Sequence, residues 1–265
     1  PVDDGGASIT GYTATATPGG ATCETASTSC DVTGLANGTE YTFTVVATNT
    51  NGNSTPSAEA SATPSLVRTI AEIGVDCTVT QPHPFTDVAV SSFAFDSVGC
   101  IYALGVTTGT GSETYSPQDL VTREQMAAFL GRFFETVTGV ECGGEHPFND
   151  VAETSFAFDS VGCIYGLGVT TGTGSETYSP KDPVTREQMA AFIERIYSSL
   201  TNLECVGVNP FSDVAKTSFA FDSIGCIYGL NITTGTGPET YSPKDLVTRE
   251  QMAAFLERLY NTLTS

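Results

Sequence analysis

One nine-residue stretch, Val121-Thr122-Arg123-Glu124-Gln125-Met126-Ala127-Ala128-Phe129, is written three times. It returns from Val184 to Phe192 and from Val247 to Phe255. Its arginine stands at positions 123, 186 and 249, a constant interval of 63 residues. Most of the chain is therefore one unit in three copies. What it can fold into is set by what one copy forms and how the copies meet.

The stretch reads as the start of a helix. Thr122 is a good N-cap and Gln125 follows three residues on, the spacing of a capping box. Met126, Phe129, Leu130 and Phe133 then recur at i, i+3, i+4 and i+7, the apolar stripe of an amphipathic helix. The later copies keep the stripe as Met189, Phe192, Ile193 and Ile196, and as Met252, Phe255, Leu256 and Leu259. The arginine is out of place by this logic. At the first helical position the macrodipole disfavours a cation by about 0.3–1 kcal/mol. Two readings of Arg123, Arg186 and Arg249 stay open: an ion pair with a neighbouring carboxylate, or an anion receptor beside free helix N–H groups.

Composition narrows the function classes. The 265 residues carry a net charge of −20, with only ten Lys and Arg, which argues against nucleic acid and anionic lipid as partners. Six of the ten basic residues sit at two repeated places, Arg123/186/249 and Arg132/195/258. The second set is expected on the exposed side of the helix as ion-pair partners. No apolar run is long enough for membrane insertion. Without an initiator Met or a signal peptide, the chain reads as a mature segment or a piece of a longer protein.

The eight cysteines form no C-x-x-C, and the two histidines, His83 and His146, give way to Asn209 in the third copy, so a zinc site is not expected. No cofactor is expected either. An even number of cysteines at repeating places reads as disulfides and an extracellular compartment. The favoured pairing is Cys23–Cys30, Cys77–Cys100, Cys142–Cys163 and Cys205–Cys226. The rival joins neighbouring repeats: Cys100–Cys142, Cys163–Cys205 and Cys77–Cys226.

Residues 1–64 have β character. Ile9 to Thr17 alternates, as do Cys30 to Val32 and Tyr41 to Thr48, and turn signals at Pro18-Gly19-Gly20, Ala36-Asn37-Gly38 and Asn51-Gly52-Asn53 separate them. The run from Gly34 to Val45 resembles the E–F corner and F strand of a fibronectin type III domain. By that resemblance Tyr41 is the corner tyrosine, Leu35 is a core residue, and Pro1 to Gly6 leads into the third strand of an immunoglobulin-like sandwich of which about two thirds is present. Residues 65–76 form a linker that becomes helical, with Leu66, Val67, Ile70 and Ile73 as its apolar stripe, expected to pack on the first repeat.

Each repeat follows one plan, over residues 77–140, 141–203 and 204–265. Pro84-Phe85-Thr86-Asp87-Val88 opens the first, with Phe85 and Val88 buried and the aspartate taking backbone N–H groups in a turn. A first helix begins near Ser92, Ser155 or Ser218, with Ala94, Val98 and Ile101 on one face, and ends at Gly105 or its neighbour. A polar loop, Thr107 to Pro117, follows. It is not a phosphate loop, because it lacks the lysine and the preceding strand that such a loop requires. Tyr115 and Pro117 are expected to anchor the second helix of their own repeat.

These pieces, Phe85–Val88, Phe93-Ala94, Gly105-Val106-Thr107-Thr108-Gly109, Tyr115-Ser116-Pro117 and Thr122-Arg123-Glu124-Gln125, resemble S-layer homology domains in all three copies. The resemblance implies a mainly α-helical triple repeat about a pseudo-threefold axis, with the long helices central. It also implies non-covalent anchoring to a peptidoglycan-linked secondary polysaccharide of the cell wall carrying pyruvyl ketals, bound in grooves between repeats. The implied contacts are Arg123, Arg186 and Arg249 on the pyruvyl carboxylate, the connection glycines Gly109, Gly172 and Gly235, the aromatics Phe93, Phe156 and Phe219, and the aspartates Asp87, Asp150 and Asp213. Departures are Phe-Ala for the usual Trp-Ala, and T-R-E-Q for T-R-A-E.

The expectation is therefore a multidomain, extracellular cell-surface protein with a fibronectin-type spacer and a non-catalytic wall anchor. The alternative is self-association into a surface layer. Recurrent carboxylates Asp87, Asp96 and Glu124 fall at turn, helix and cap positions and form no hydrolytic pair.

Overall fold

The computed structural model describes residues 5–36 and 39–265. The expectations for Pro1–Asp4 and for the turn at Asn37-Gly38 lie outside the described residues. The chain divides into two compact units, Pro1–Leu66 and Val67–Ser265. No helix among the described residues is long and apolar enough to cross a membrane.

The first unit is one antiparallel sheet of β1 (Gly11–Thr17), β2 (Thr22–Thr25), β3 (Tyr41–Asn49), β4 (Gly52–Asn53) and β5 (Ala60–Ala62). β1 lies between β2 and β3, pairing Tyr12 with Thr25 on one side and with Ala47 on the other, while β5 pairs with the start of β3. The strand expected at Cys30–Val32 forms instead at Thr22–Thr25. The turn at Pro18-Gly19-Gly20 reverses the chain at once, with Ala16 N–H donating to Ala21 O at 2.8 Å, so β1's hairpin partner is the residues just after the turn. Cys30 returns to β2 through its disulfide with Cys23. Tyr41 is buried, and its hydroxyl accepts the Ala36 N–H at 3.1 Å. Leu35, expected in the core, is only half-buried. Among the described residues of this unit only Ala16 and Tyr41 are fully buried apolar residues. A single sheet has no second layer to bury its apolar face against.

The second unit is helical: α1 (Ile70–Ile73), α2 (Phe95–Ala103), α3 (Arg123–Thr138), α4 (Phe158–Gly166), α5 (Arg186–Thr201), α6 (Phe221–Gly229) and α7 (Arg249–Thr264). Each repeat supplies one short and one long helix. The long helices begin where the sequence places them: Thr122, Thr185 and Thr248 close a capping box with Gln125, Gln188 and Gln251. The apolar stripes are buried throughout. The short helices begin three residues later than the serines suggest, because Ser92 O and Oγ first close a turn onto the N–H groups of Phe95 and Ala94.

The repeats meet in a ring. α3 packs on α4, α5 on α6, and α7 back on α2. At the centre, Val184 N–H donates to Val121 O, Val247 N–H to Val184 O, and Val121 N–H to Val247 O, each at 2.9 Å. All three valines are fully buried, so this closed triangle of hydrogen bonds marks a pseudo-threefold axis in the buried interior. One disulfide staples each repeat internally, Cys77–Cys100, Cys142–Cys163 and Cys205–Cys226, which is the favoured pairing and not its inter-repeat rival. α1 docks on the first repeat through Arg68 N–H to Val137 O (2.7 Å). The same segment also reaches the third repeat, where Tyr260 Oη donates to Val75 O (2.6 Å).

Candidate functional site

The three arginines sit on the seams between repeats. Arg123 is 4 % exposed. Its Nε donates to the carbonyl of Tyr178 in the next repeat at 2.6 Å, and its guanidinium lies over the Tyr178 ring, 4.6 Å from the centroid. Tyr178 answers by donating its hydroxyl to Arg123 O at 2.9 Å. Arg186 and Tyr241 repeat the clasp, and Arg249 and Tyr115 close the ring between the last repeat and the first. The loop tyrosine thus anchors the long helix of the neighbouring repeat, not of its own. Burial pushes the three tyrosine hydroxyls well above their ordinary pKa, and it pulls the Arg123 and Arg249 guanidinium groups below theirs. An arginine so shifted still carries its charge at neutral pH.

Neither simple reading of the arginine survives intact. Among the described residues no carboxylate lies within ion-pair distance of it; the ion pairs there are Lys181–Glu124 and Lys244–Glu187. The helix N–H groups are not free either. Arg123 N–H donates to Asp182 O and Glu124 N–H to Pro180 O, while Gln125 N–H goes to Thr122 Oγ1 and Thr122 N–H to Gln125 Oε1. All four donors that a helix start leaves open are used. What remains for an anion is the groove that the arginine lines between repeats. Nη2 of Arg123 and of Arg249 is buried and has no acceptor among the described residues.

Arg123 lines a groove of about 350 Å³ together with Thr170 to Thr173, Gln188, Phe192, Arg195 and Phe219. Around Arg186 the same groove of about 230 Å³ is lined by Thr233 to Thr236, Gln251, Phe255, Arg258 and Phe93. Each groove is built by all three repeats: the arginine from one, the loop and helix from the next, and the phenylalanine from the third. Phe93, Phe156 and Phe219 are all more than 60 % exposed, unusual for so large an apolar ring. Arg249 lies over Tyr115 and Phe129 in the same relation, which marks the third seam.

The second arginine set does not form the exposed ion-pairing side that its sequence position suggests. Arg132, Arg195 and Arg258 are half-buried and donate to Val106 O, Val169 O and Ile232 O of their own repeats. Arg195 and Arg258 line the grooves. Nine residues separate the two arginines of one helix, about half a turn in projection, so they face opposite sides and serve successive grooves. The groove of Arg123 therefore holds Arg195, and that of Arg186 holds Arg258.

Gly172 lines its groove and cannot carry a side chain. Its φ is +82°, and a Cβ would meet Phe148 Cε1 at 2.4 Å and Thr177 O at 2.5 Å. Gly109 and Gly235 have the same conformation and neighbours. Asp87, Asp150 and Asp213 each use both carboxylate oxygens on backbone N–H groups; Asp87 takes Tyr115 N and Ser116 N at 2.8 and 2.7 Å. They hold the loop that presents the clasp tyrosine. The histidines also brace backbone. His83 Nδ1 accepts the Phe85 N–H, as Asn209 Oδ1 accepts that of Phe211, which explains why the two residue types interchange.

Comparison with known proteins agrees with this architecture. The fibronectin type III domain family matches residues 1–63, and the S-layer homology domain family matches residues 84–127, 147–190 and 210–253. The chain is 31% identical over 199 residues to an endoglucanase of Bacillus sp. (strain KSM-635), covering 74% of this chain and 20% of that protein. It is 28% identical to a cell surface protein of Thermoanaerobacter kivui over 56% of this chain and 19% of that protein. It is 24% identical to the S-layer protein sap of Bacillus anthracis over 66% of this chain and 21% of that protein. The chain spans about a fifth of the length of these relatives. It belongs to the S-layer homology family, with a fibronectin type III domain followed by three S-layer homology domains, and is an extracellular cell-surface protein.

Proposed function

We propose that the three S-layer homology domains anchor the protein non-covalently to an anionic, pyruvylated cell-wall polysaccharide, which binds in the grooves between repeats, with the fibronectin-type domain as a spacer. The observation that carries this reading is the groove in which Arg123 and Arg195, from adjacent repeats, stand beside the exposed ring of Phe219. A carboxylate on the sugar fits: it is planar, and two guanidinium groups, of Arg123 and Arg195, line the groove that would receive it. Phe219 offers an exposed ring to the apolar face of a sugar.

One charge-assisted contact contributes about 1.5–3 kcal/mol, too little for retention at a wall. Several grooves on one polymer act together and raise the effective affinity by roughly 10²–10⁴. The test is co-sedimentation with wall sacculi of the organism that makes the protein, with and without their secondary polymer. The reading requires pelleting on intact sacculi and its loss on stripped ones; equal pelleting on both would discard it.

A further inference from the structure

The three seams are not equivalent. In two of them a helix-start glutamate binds a lysine of the next repeat: Glu124 meets Lys181 and Glu187 meets Lys244, each at 2.5 Å. In the third, Glu250 meets Gln118, the residue that stands where the other copies have lysine. Gln118 Nε2 donates to Glu250 Oε1 at 2.6 Å and Ser92 Oγ to Glu250 Oε2 at 3.2 Å. Both donors are neutral, so the carboxylate charge that its two counterparts cancel with an ammonium stays uncancelled here. A cavity of about 450 Å³ opens at this place, lined by Asp87, Ser91, Ser92, Phe93, Gln118 and Glu250. Phe93 also walls the groove of Arg186 and Arg258.

We infer that this cavity is a separate subsite for a sugar ring carrying a protonated amine, and that one saccharide crosses Phe93 from it into the arginine groove. The inference rests on the reading of the grooves as glycan-binding. The chain itself displays the chemistry: where a lysine is present, this glutamate takes an ammonium. The exposed Phe93 ring between the two cavities favours a sugar over a bare cation, because it offers a flat apolar platform to the ring. Anionic and cationic substituents on adjacent sugars would then meet groups of opposite sign on either side of Phe93.

The test uses the secondary polymer released from sacculi as a soluble competitor of pelleting, either as isolated or after N-acetylation, which removes its amine charge. Wild-type protein is compared with Gln118→Lys, which rebuilds the ion pair of the other seams, and with Thr55→Lys, which adds the same charge in the first unit. Against wild type and Thr55→Lys, acetylation should weaken competition about tenfold, the order of one charge-assisted contact. Against Gln118→Lys, native and acetylated polymer should compete alike. Equal competition by both polymers against wild type overturns the amine subsite while leaving the arginine grooves in place. Failure of wild type to pellet on native sacculi overturns the groove reading, and this inference with it.

Discussion

Tyr178 and Arg123 hold each other twice across a repeat boundary: the hydroxyl donates to the arginine carbonyl at 2.9 Å and Nε donates to the tyrosine carbonyl at 2.6 Å. The same pair of bonds fixes the guanidinium, so the clasp that joins the repeats also sets the arginine in the groove wall. On the proposed reading, folding and binding are coupled through one residue. Removing the arginine outright would therefore confuse a lost ligand contact with a lost seam.

Tyr178→Phe separates the two. It keeps the ring under the guanidinium and deletes one buried hydrogen bond, which is expected to cost about 0.5–1.5 kcal/mol. Urea unfolding should show a lower midpoint with an unchanged slope, while pelleting on sacculi persists.

Gly172→Ala attacks the groove wall through the backbone. The residue would hold a left-handed φ with a Cβ pressed on Phe148 and Thr177, so a loss of at least about 2 kcal/mol is expected. Gly166→Ala is the control, since a Cβ there meets nothing within 4 Å. A thermal melt of the two variants decides it.

Each disulfide of the second unit closes a loop of 21 to 23 residues within one repeat. Replacing Cys142 and Cys163 together by serine should lower stability by about 3 kcal/mol, by loop-closure entropy. Wild type should melt at a lower temperature under reductant, whereas the inter-repeat pairing would link different peptides in a non-reduced digest.

The buried tyrosines give the fold an alkaline limit. Tyr115, Tyr178 and Tyr241 hold their protons in the folded state well above the ordinary value of 10.0. Below pH 10 both states bind the proton and the stability is fully present. Above it the unfolded chain loses protons that the folded chain keeps, so stability falls as pH rises. Unfolding and phenolate absorbance should rise together in an alkaline titration, and Tyr178→Phe should weaken the coupling.

Much of one repeat was legible in the sequence. The capping box at Thr122 and Gln125, the stripe from Met126 to Phe133 and the buried Phe85 and Val88 are local patterns, and they form as written. The relations between repeats were not legible. Tyr115 lies seven residues before Thr122 yet serves Arg249, because the chain closes a ring that no local period encodes. Arg195 sits half a turn from Arg186, which reads as the solvent side of a lone helix. In the ring that side is the groove of Arg123. Gln118 for lysine is visible when the copies are aligned, but only the Glu250 contact gives it meaning.

Whether arginines facing the grooves hold an anionic wall polymer is tested most directly by pelleting with intact sacculi. Wild type is compared with a triple variant, Arg132→Gln, Arg195→Gln and Arg258→Gln, which leaves the clasp arginines and the seams untouched. With matched melting temperatures, pelleting should be reduced at least about tenfold in the triple variant. Undiminished pelleting of a folded triple variant would contradict the role given to these arginines.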